Sequence, residues 1–402
     1  MFLLLCFCLL TATALASVCT VPVAPLSEPR EYYSATSVAG RFALFAGGYR
    51  SSTVDVFDAL SGSWSTSQLS GERYLMAATS LGDVALFAGG VDFSEPTTFS
   101  DAVDAFDART GLWNRSTPLS EKRSGLAAAT ARNVTLFAGG RGPTGPTATV
   151  DRFDWLSGNW SSSSADALSQ PRELVVGVGL RKWALFAGGE SWGTMYAVVD
   201  MWNAETQVWQ LANLSEARSR LSSVAVRDRF AIFAGGALDI LDNVSAAVDV
   251  FDAETATWLA PLALSAARAY LTASALGPFA LFAGGKFGAS GSTSDAVDVL
   301  DSATWTFTAR SLSGPRSRLA ATSVGGIALV GGGYVSGRTY TPAVDAFTLC
   351  ASSSRPARSE TAGRRTTTLR TEAASSSSSS SSSAVNSVPS PVSAAALCTL
   401  WL

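Results

Sequence analysis

The sequence predicts an all-β fold assembled from seven repeats, and three patterns support that prediction. A Gly-Gly pair follows a short apolar segment seven times, and successive pairs are 42, 50, 49, 47, 49 and 48 residues apart. A Val-Asp dipeptide follows each pair, with a large apolar residue two positions after the Asp and a Trp further on in six repeats. The composition, with 35 Gly, 47% hydrophobic and 15% charged residues, favours many short strands joined by tight turns.

Each repeat presents the same elements in the same order. An Arg opens the repeat, an apolar strand leads into Gly-Gly, and a loop of variable length precedes the Val-Asp strand. A turn then precedes the Trp, often at a Gly such as Gly62, Gly111 or Gly158, because a hairpin needs a positive φ there. The recurring residues are Arg30, Arg73, Arg123, Arg172, Arg218, Arg268 and Arg316; Asp55, Asp104, Asp151, Asp200, Asp249, Asp298 and Asp345; and Trp64, Trp113, Trp160, Trp209, Trp258 and Trp305.

This order of elements, repeated about every 50 residues, resembles the kelch repeat over roughly residues 20–350. The resemblance implies that each repeat forms one four-stranded antiparallel blade, and that residues 17–350 form a seven-bladed β-propeller around a central channel. One departure is that this chain has Phe where kelch repeats commonly have Tyr. Since both residues bury an aromatic ring, the departure leaves the expected fold unchanged.

The chain ends supply the expected closure of the ring. The seventh repeat lacks a Trp strand, whereas the segment from Val21 to Arg30 resembles the one from Trp258 to Arg268. We therefore expect the N-terminal strand to complete the last blade as its outer strand. In the closed ring Cys19 and Cys350 become hairpin neighbours, which predicts a disulfide; the alternative is two free buried thiols.

Several features indicate export. Residues 1–16 have the apolar run and small-residue cleavage pattern of a signal peptide. Residues 351–391 form a Ser/Thr/Arg-rich segment that we expect to be a disordered stalk. Residues 392–402 are mildly apolar and read either as a GPI-anchor signal or as a frayed terminus. N-glycosylation is predicted at the five sequons Asn114, Asn133, Asn159, Asn213 and Asn243.

The composition also argues against several classes of function. The chain has no His, which removes a Ser-His-Asp triad and any His-ligated metal site. Its formal net charge is −3, whereas nucleic-acid binding needs an excess of Lys and Arg to neutralise phosphates. We expect no enzyme activity, no cofactor, no metal and no nucleic-acid partner, and we expect a monomer without a transmembrane span.

Candidate binding residues lie where the repeats differ. The repeated Arg and Asp residues are expected to be structural, because a residue present in every blade belongs to the packing of the blade. The loops after Gly-Gly, and the residue two positions after each opening Arg, vary and are expected to share one face. The predicted ligand-binding residues are Trp192, Tyr196, Arg220, Arg318, Tyr334 and Arg338.

The sequence therefore predicts a secreted or surface-displayed binding module for a protein or a glycan, whose identity it does not give. The alternative is a structural coat or matrix protein. A carboxylate-only enzyme on a propeller scaffold is a third and weaker hypothesis, since a fold alone is no evidence of function.

Overall fold

A computed structural model describes residues 17–92, 98–241, 243–288 and 291–350, without the side chains of residues 164 and 165. The predicted signal peptide, the stalk at 351–391 and the tail at 392–402 lie outside the described residues. Within the described ranges the chain forms β-strands and no helix. No helix in these ranges is therefore long and apolar enough to cross a membrane.

Seven antiparallel sheets of four strands, A to D, follow one another along the chain. Strands A to D are Ser34–Val38, Phe42–Ala46, Thr53–Asp58 and Ser63–Gln68 in blade 1; Ala77–Leu81, Val84–Ala88, Val103–Asp107 and Leu112–Arg115 in blade 2; Ala127–Ala131, Val134–Ala138, Thr149–Asp154 and Asn159–Ala167 in blade 3; Val176–Leu180, Trp183–Ala187, Val198–Asn203 and Val208–Asn213 in blade 4; Ser222–Val226, Phe230–Ala234, Ala247–Asp252 and Thr257–Trp258 with Leu262–Ala263 in blade 5; Thr272–Leu276, Phe279–Ala283, Ala296–Asp301 and Thr306–Ser311 in blade 6; and Ala320–Val324, Ile327–Gly331, Val344–Leu349 and Val18–Val21 in blade 7.

Short additional strands lie in the loops that connect or enter the blades. They are Arg73–Tyr74, Val91–Asp92, Thr98–Phe99, Arg141–Gly142, Gly145–Pro146, Glu190–Ser191, Thr194–Met195, Tyr334–Ser336 and Thr339–Tyr340.

The A strands form the inner ring. The A strand of each blade contacts the A strands of both neighbouring blades, and the A strands of blades 7 and 1 also meet. Apolar side chains of the B and C strands fill the spaces between blades, as Phe45, Phe87, Phe137 and Phe186 do with no exposed surface. The seven-bladed β-propeller of four-stranded antiparallel blades is therefore confirmed.

The predicted closure is also confirmed. Strand Val18–Val21 pairs antiparallel with strand C of blade 7, and Cys19 is joined to Cys350 by a disulfide with Cα atoms 5.3 Å apart. The register differs by one residue from the sequence alignment, because Thr20 and not Val21 lies opposite Phe347 in the place of a blade Trp. Pro22 then ends the strand, since it has no backbone N–H to donate.

One member of the Trp series was assigned wrongly. In five blades the Trp lies opposite the large residue of the Val-Asp strand, as Trp64 lies opposite Phe57. In blade 6 Phe307 takes that place opposite Leu300, and Trp305 lies in the turn with φ 59°. Trp305 packs edge-on against Phe230 of blade 5, with ring centroids 4.9 Å apart. It occupies the positive-φ position that Gly fills in blades 1 to 3.

The repeated Arg and Asp residues form the same ion pair in every blade. Each opening Arg is at most 2% exposed, and its guanidinium donates to the Asp of the same repeat. In blade 4, Arg172 also donates from Nε to the carbonyl oxygen of Gly188 at 2.8 Å. The pair therefore ties the start of each repeat to its B and C strands, which agrees with the expected structural role of both sets.

A further repeated motif is visible in the sequence but was not identified from it. A buried Leu and a Ser precede each opening Arg, giving Leu-Ser-x-x-Arg in all seven repeats. The backbone N–H of each Ser donates to the same Asp at 2.8–3.3 Å. Each Asp thus accepts bonds from two parts of the segment that enters the blade.

Candidate functional site

The B–C loops and the D–A loops meet on one face of the propeller, which we call the rim face. Backbone bridges join them in successive blades, as between Ser124 and Arg141 and between Ser317 and Tyr334. The expectation that these two sets of loops share a face is thus met. The A–B and C–D turns lie at the other end of the strands, because neighbouring strands are antiparallel.

Seven residues form a ring at the mouth of the channel on the rim face. Each lies two positions after an opening Arg and has a φ between 53° and 59°. Six backbone N–H···O bonds of 2.8–3.2 Å join neighbours in this ring. Its members are Tyr32, Leu75, Gly125, Leu174, Arg220, Tyr270 and Arg318. A positive φ is uncommon for residues other than Gly, so the shared backbone conformation is imposed by the fold and only the side chains vary.

The side chains of this mouth ring divide it into two parts. Leu75, Gly125 and Leu174 make one part apolar, whereas Tyr270, Arg318 and Tyr32 follow one another on the opposite part. All seven residues of the mouth ring border a cavity of about 230 Å³ at the channel mouth. The aromatic and charged members, including Arg220, therefore lie at blades 5, 6, 7 and 1.

Arg318 lies within a cage of tyrosine rings. Its guanidinium carbon is 4.9 Å from the ring centre of Tyr32, 5.3 Å from that of Tyr270 and 5.2 Å from that of Tyr334. Nη1 also donates to the carboxylate of Glu31 at 3.0 Å. Burial opposes the charge on Arg318, but its interactions with Tyr32 and Glu31 outweigh burial and raise the pKa of the guanidinium. Arg318 therefore stays a cation, held by aromatic faces.

Six of the eight tyrosines of the chain form one cluster around this arginine. Neighbouring rings lie 6.0–6.4 Å apart, in tilted or edge-on pairs. This tyrosine cluster consists of Tyr32, Tyr49, Tyr74, Tyr270, Tyr334 and Tyr340. Burial raises the pKa of the Tyr32, Tyr74 and Tyr340 phenols. These three groups are thus neutral at physiological pH and can both donate and accept hydrogen bonds.

A cleft of about 330 Å³ opens beside the cluster, and its lining carries an excess of positive charge. Three cations, Lys286, Arg318 and Arg338, line it together with Glu31, which is mostly buried and bonded to Arg318. Tyr334 and Tyr340 add aromatic faces. We call this cavity the cationic cleft. It offers charge and aromatic contacts to an acidic group.

The structure separates the six predicted binding residues into two groups. Arg318, Tyr334 and Arg338 line the cationic cleft. Arg220 lines the channel mouth beside Arg318, and its guanidinium is 5.6 Å from the ring centre of Tyr270. Arg220 is also paired with Glu190 at 2.9 Å.

The other two residues lie on the rim hairpin of blade 4, formed by Glu190–Ser191 and Thr194–Met195. Trp192 is 70% exposed and stands 4.6 Å from the guanidinium of Arg141, whereas Tyr196 is half-buried. These two residues do not line the cationic cleft.

Of the tyrosines in the cluster around Arg318, sequence reasoning selected only Tyr334. Tyr32 and Tyr270 belong to the variable position of the mouth ring, and Tyr340 and Lys286 lie in variable loops. One usable signal was the scarcity of Tyr, with 8 residues against 20 Phe, combined with the presence of six of the eight in these variable segments. Their assembly around one arginine depends on bringing blades 6, 7, 1 and 2 together across the ring closure.

The opposite mouth of the channel is wider and carries charges that are mostly paired with each other. Its cavity of about 890 Å³ is bordered by Thr79, Thr130 and charged residues of the A–B turns. Glu205 pairs with Lys182 at 3.2 Å and also with Arg132. The hydrogen bond from Lys182 has the larger effect in lowering the pKa of the Glu205 carboxyl, and Arg132 lowers it further. The charged groups at this mouth are therefore largely neutralised by one another.

The sequons that were predicted to carry glycans are accessible. Asn114, Asn159, Asn213 and Asn243 are exposed, and Asn133 is half-buried. All five lie on blades 2 to 5. Their occupancy stays a prediction.

Within the described ranges, no three or more Cys, Asp or Glu residues lie close enough together to hold a metal ion.

Comparisons with known proteins relate the chain to other proteins by fold. No protein-family model matches the sequence. No curated protein matches it either. Among solved structures, the chain is similar to that titled "Structure of YjhT", a kelch-repeat propeller protein, with a TM-score of 0.58 and 14% identity. The match covers 72% of this chain and 99% of that one. At this identity the likeness extends to the fold, and the chain has the architecture of a kelch-like β-propeller.

Proposed function

We propose that this protein is a binding module, secreted or displayed at the cell surface, that takes its ligand through the tyrosine cluster and the cationic cleft. The observation that carries the proposal is the concentration of six of eight tyrosines around Arg318 on one part of the rim face. Tyr and Arg are the residues most often found as anchors at the centre of interfaces.

The chemistry of the cleft favours a ligand that presents an acidic group. Lys286 and Arg338 add positive charge beside Arg318, and Glu31 is already bonded to Arg318. A carboxylate or sulfate in the cleft would receive charge-assisted hydrogen bonds, which are stronger than neutral ones. The phenols of Tyr334 and Tyr340 offer stacking faces as well as hydrogen bonds, which suits a glycan or a protein.

The proposed location rests on the Cys19–Cys350 disulfide and on the sequence signals for export. A disulfide between the two ends of the propeller persists in oxidising compartments and is rare in the cytosol. No catalytic role is part of the proposal.

The test compares three forms of the full chain secreted from a eukaryotic host and immobilised on beads. The first is the wild type and the second carries Arg318→Ala, Tyr334→Ala and Arg338→Ala. The third, a matched control at the opposite face, carries Arg132→Ala, Leu156→Ala and Lys182→Ala. Each is incubated with an extracellular extract that is untreated, treated with protease or treated with glycosidases. Thermal unfolding confirms that all three are folded.

We expect a ligand that the wild type and the control capture and the cleft variant loses. Sensitivity of capture to protease or to glycosidase then separates a protein ligand from a glycan. Capture by all three forms would move the binding surface away from the cleft. Capture by none would favour the alternative, a structural coat or matrix protein.

A further inference from the structure

A second part of the rim face carries an exposed apolar patch. Leu238, Ile240 and Leu241, in one loop of blade 5, are 37%, 67% and 71% exposed, and the nearby Trp192, whose ring lies over Arg141, is 70% exposed. The loops that carry them touch, because a Cβ built on Gly193 would lie 3.2 Å from Cγ2 of Ile240. Contiguous exposed apolar side chains are uncommon on monomeric proteins and usually have an occupant.

The sequon residue Asn243 lies in the same loop as three of these side chains. Its backbone carbonyl accepts a hydrogen bond from the N–H of Leu238 at 2.7 Å. Asp239 fixes the loop by accepting bonds from the backbone N–H groups of Leu241 and Asn243, at 2.9 and 3.0 Å. The side-chain Nδ2 of Asn243 donates to the same carboxylate at 2.5 Å. The first sugar attached to Nδ2 would therefore lie beside the apolar patch, and the hydrogen bond to Asp239 would fix the direction of the N-glycosidic bond.

We propose that an N-linked glycan on Asn243 covers the apolar patch, with the C–H faces of its first sugars packed against Ile240 and Leu241. The proposal rests on the proposed secretion, because the donor is a lipid-linked oligosaccharide of the secretory pathway. The amide nitrogen of Asn243 forms a bond to the anomeric carbon. The C–O bond to the lipid pyrophosphate breaks, the pyrophosphate leaves with the bonding electrons, and Nδ2 loses one proton.

The chemistry at Asn243 is compatible with the folded loop. After transfer Nδ2 keeps one N–H, which can continue to donate to Asp239. Ser245, the third residue of the sequon, is only 4% exposed in the folded chain. Transfer therefore has to precede folding of this segment.

A glycan is favoured over a separate partner by its position and by the distribution of sequons. Because it is tethered within the loop, its effective concentration at the patch exceeds that of any free ligand. The five sequons lie on blades 2 to 5, whereas Arg318 and most of the tyrosine cluster lie at blades 6, 7 and 1. Glycans at these positions would leave the cationic cleft open.

The experiment uses the full chain secreted from a eukaryotic host, with glycopeptide mass spectrometry to measure occupancy at each sequon. The probe of apolar surface is the dye 8-anilinonaphthalene-1-sulfonate, added to the native glycoprotein before and after an endoglycosidase trims each glycan to one sugar. Trimming leaves the Asn243 side chain and its bond to Asp239 in place. The variants are Asn243→Gln, Asn243→Gln with Ile240→Ser and Leu241→Ser, and the control Asn114→Gln. At Asn114 the exposed apolar neighbour on the same strand is Leu112.

We expect Asn243 to be occupied, and dye fluorescence to rise about twofold or more on trimming and in Asn243→Gln, as fits an uncovered apolar patch. The control should not rise, and the two Ser substitutions should remove the increase. Unchanged fluorescence on trimming would overturn the proposal, as would an empty Asn243 beside occupied Asn114 and Asn213. Empty sequons on a chain recovered from the medium would overturn this inference and leave the proposed secretion standing.

Discussion

Arginine has two different roles in this propeller. The seven opening arginines are buried, bonded to an Asp in the same blade, and alike in every repeat. Arg220, Arg318 and Arg338 lie on the rim face, and they occur at variable positions. Repetition therefore identifies the residues that build the blade, whereas departures from the repeat identify the surface that we propose for binding. Substitutions that alter one group of arginines and leave the other unchanged test this division.

The largest loss of stability is expected from Arg172→Ala. The substitution removes the partner of Asp200, which is buried and accepts bonds from both Arg172 and the backbone of Ser169. Removing one member of a buried ion pair leaves an uncompensated charge, which costs about 3–5 kcal/mol of unfolding free energy. Chemical denaturation of the wild type and the variant measures the difference. A loss below about 1 kcal/mol, the range of surface ion pairs, would show that the repeated pairs do not hold the blades.

The second expected effect concerns ring closure. Replacing Cys19 and Cys350 together by Ser removes the covalent link between the N-terminal strand and the last C strand. Loss of a native disulfide costs about 2–5 kcal/mol, mainly by freeing the unfolded chain. Wild-type protein unfolded with a reductant is the matched control, and it should unfold at the same denaturant concentration as the double variant. Equal stability of the oxidised wild type and the double variant would mean that strand pairing alone closes the ring.

A smaller loss is expected from Gly179→Ala in the inner strand of blade 4. A Cβ at this position would overlap the backbone carbonyl of Thr130 in blade 3, so the two inner strands would have to separate. Overpacking of this kind costs about 1–3 kcal/mol. Gly314→Ala is the control, because a Cβ there meets no atom within 4 Å. The denaturation midpoints of the two variants measure the difference, and equal midpoints would contradict the close approach of blades 3 and 4.

Most of the fold could be predicted from the sequence because each blade repeats the same local pattern. The pairing of the N-terminal strand and the Cys19–Cys350 bridge could be predicted because the seventh repeat lacks its last strand and the segment before the first repeat resembles that strand. The register at Trp305 could not be predicted, because Trp and Phe alternate in Trp305-Thr306-Phe307 and either ring could face the core. The candidate site was only partly predicted. Its members are distant in sequence, and only the closed ring brings Tyr32 beside Tyr270 and Arg318.

The smallest effect on stability is expected from Arg338→Ala. Arg338 is exposed and lines the cationic cleft, so its truncation should change the unfolding free energy by no more than about 0.5 kcal/mol. Its effect on ligand binding should be large, about tenfold or more, if it anchors an acidic group. A titration of captured ligand against both forms, together with their denaturation curves, measures the two quantities. Weakened folding with unchanged binding would assign Arg338 to the structural group.

Site-specific photo-crosslinking measures which face of the propeller contacts the ligand. A benzoylphenylalanine is placed at Ser336, in the same rim hairpin as Arg338, or at Leu156, which is 84% exposed in a C–D turn at the opposite end of the strands. Both secreted proteins are irradiated in the same extracellular extract. We expect a defined adduct at residue 336 and none at residue 156. An adduct at residue 156, with none at residue 336, would contradict a binding surface on the rim face.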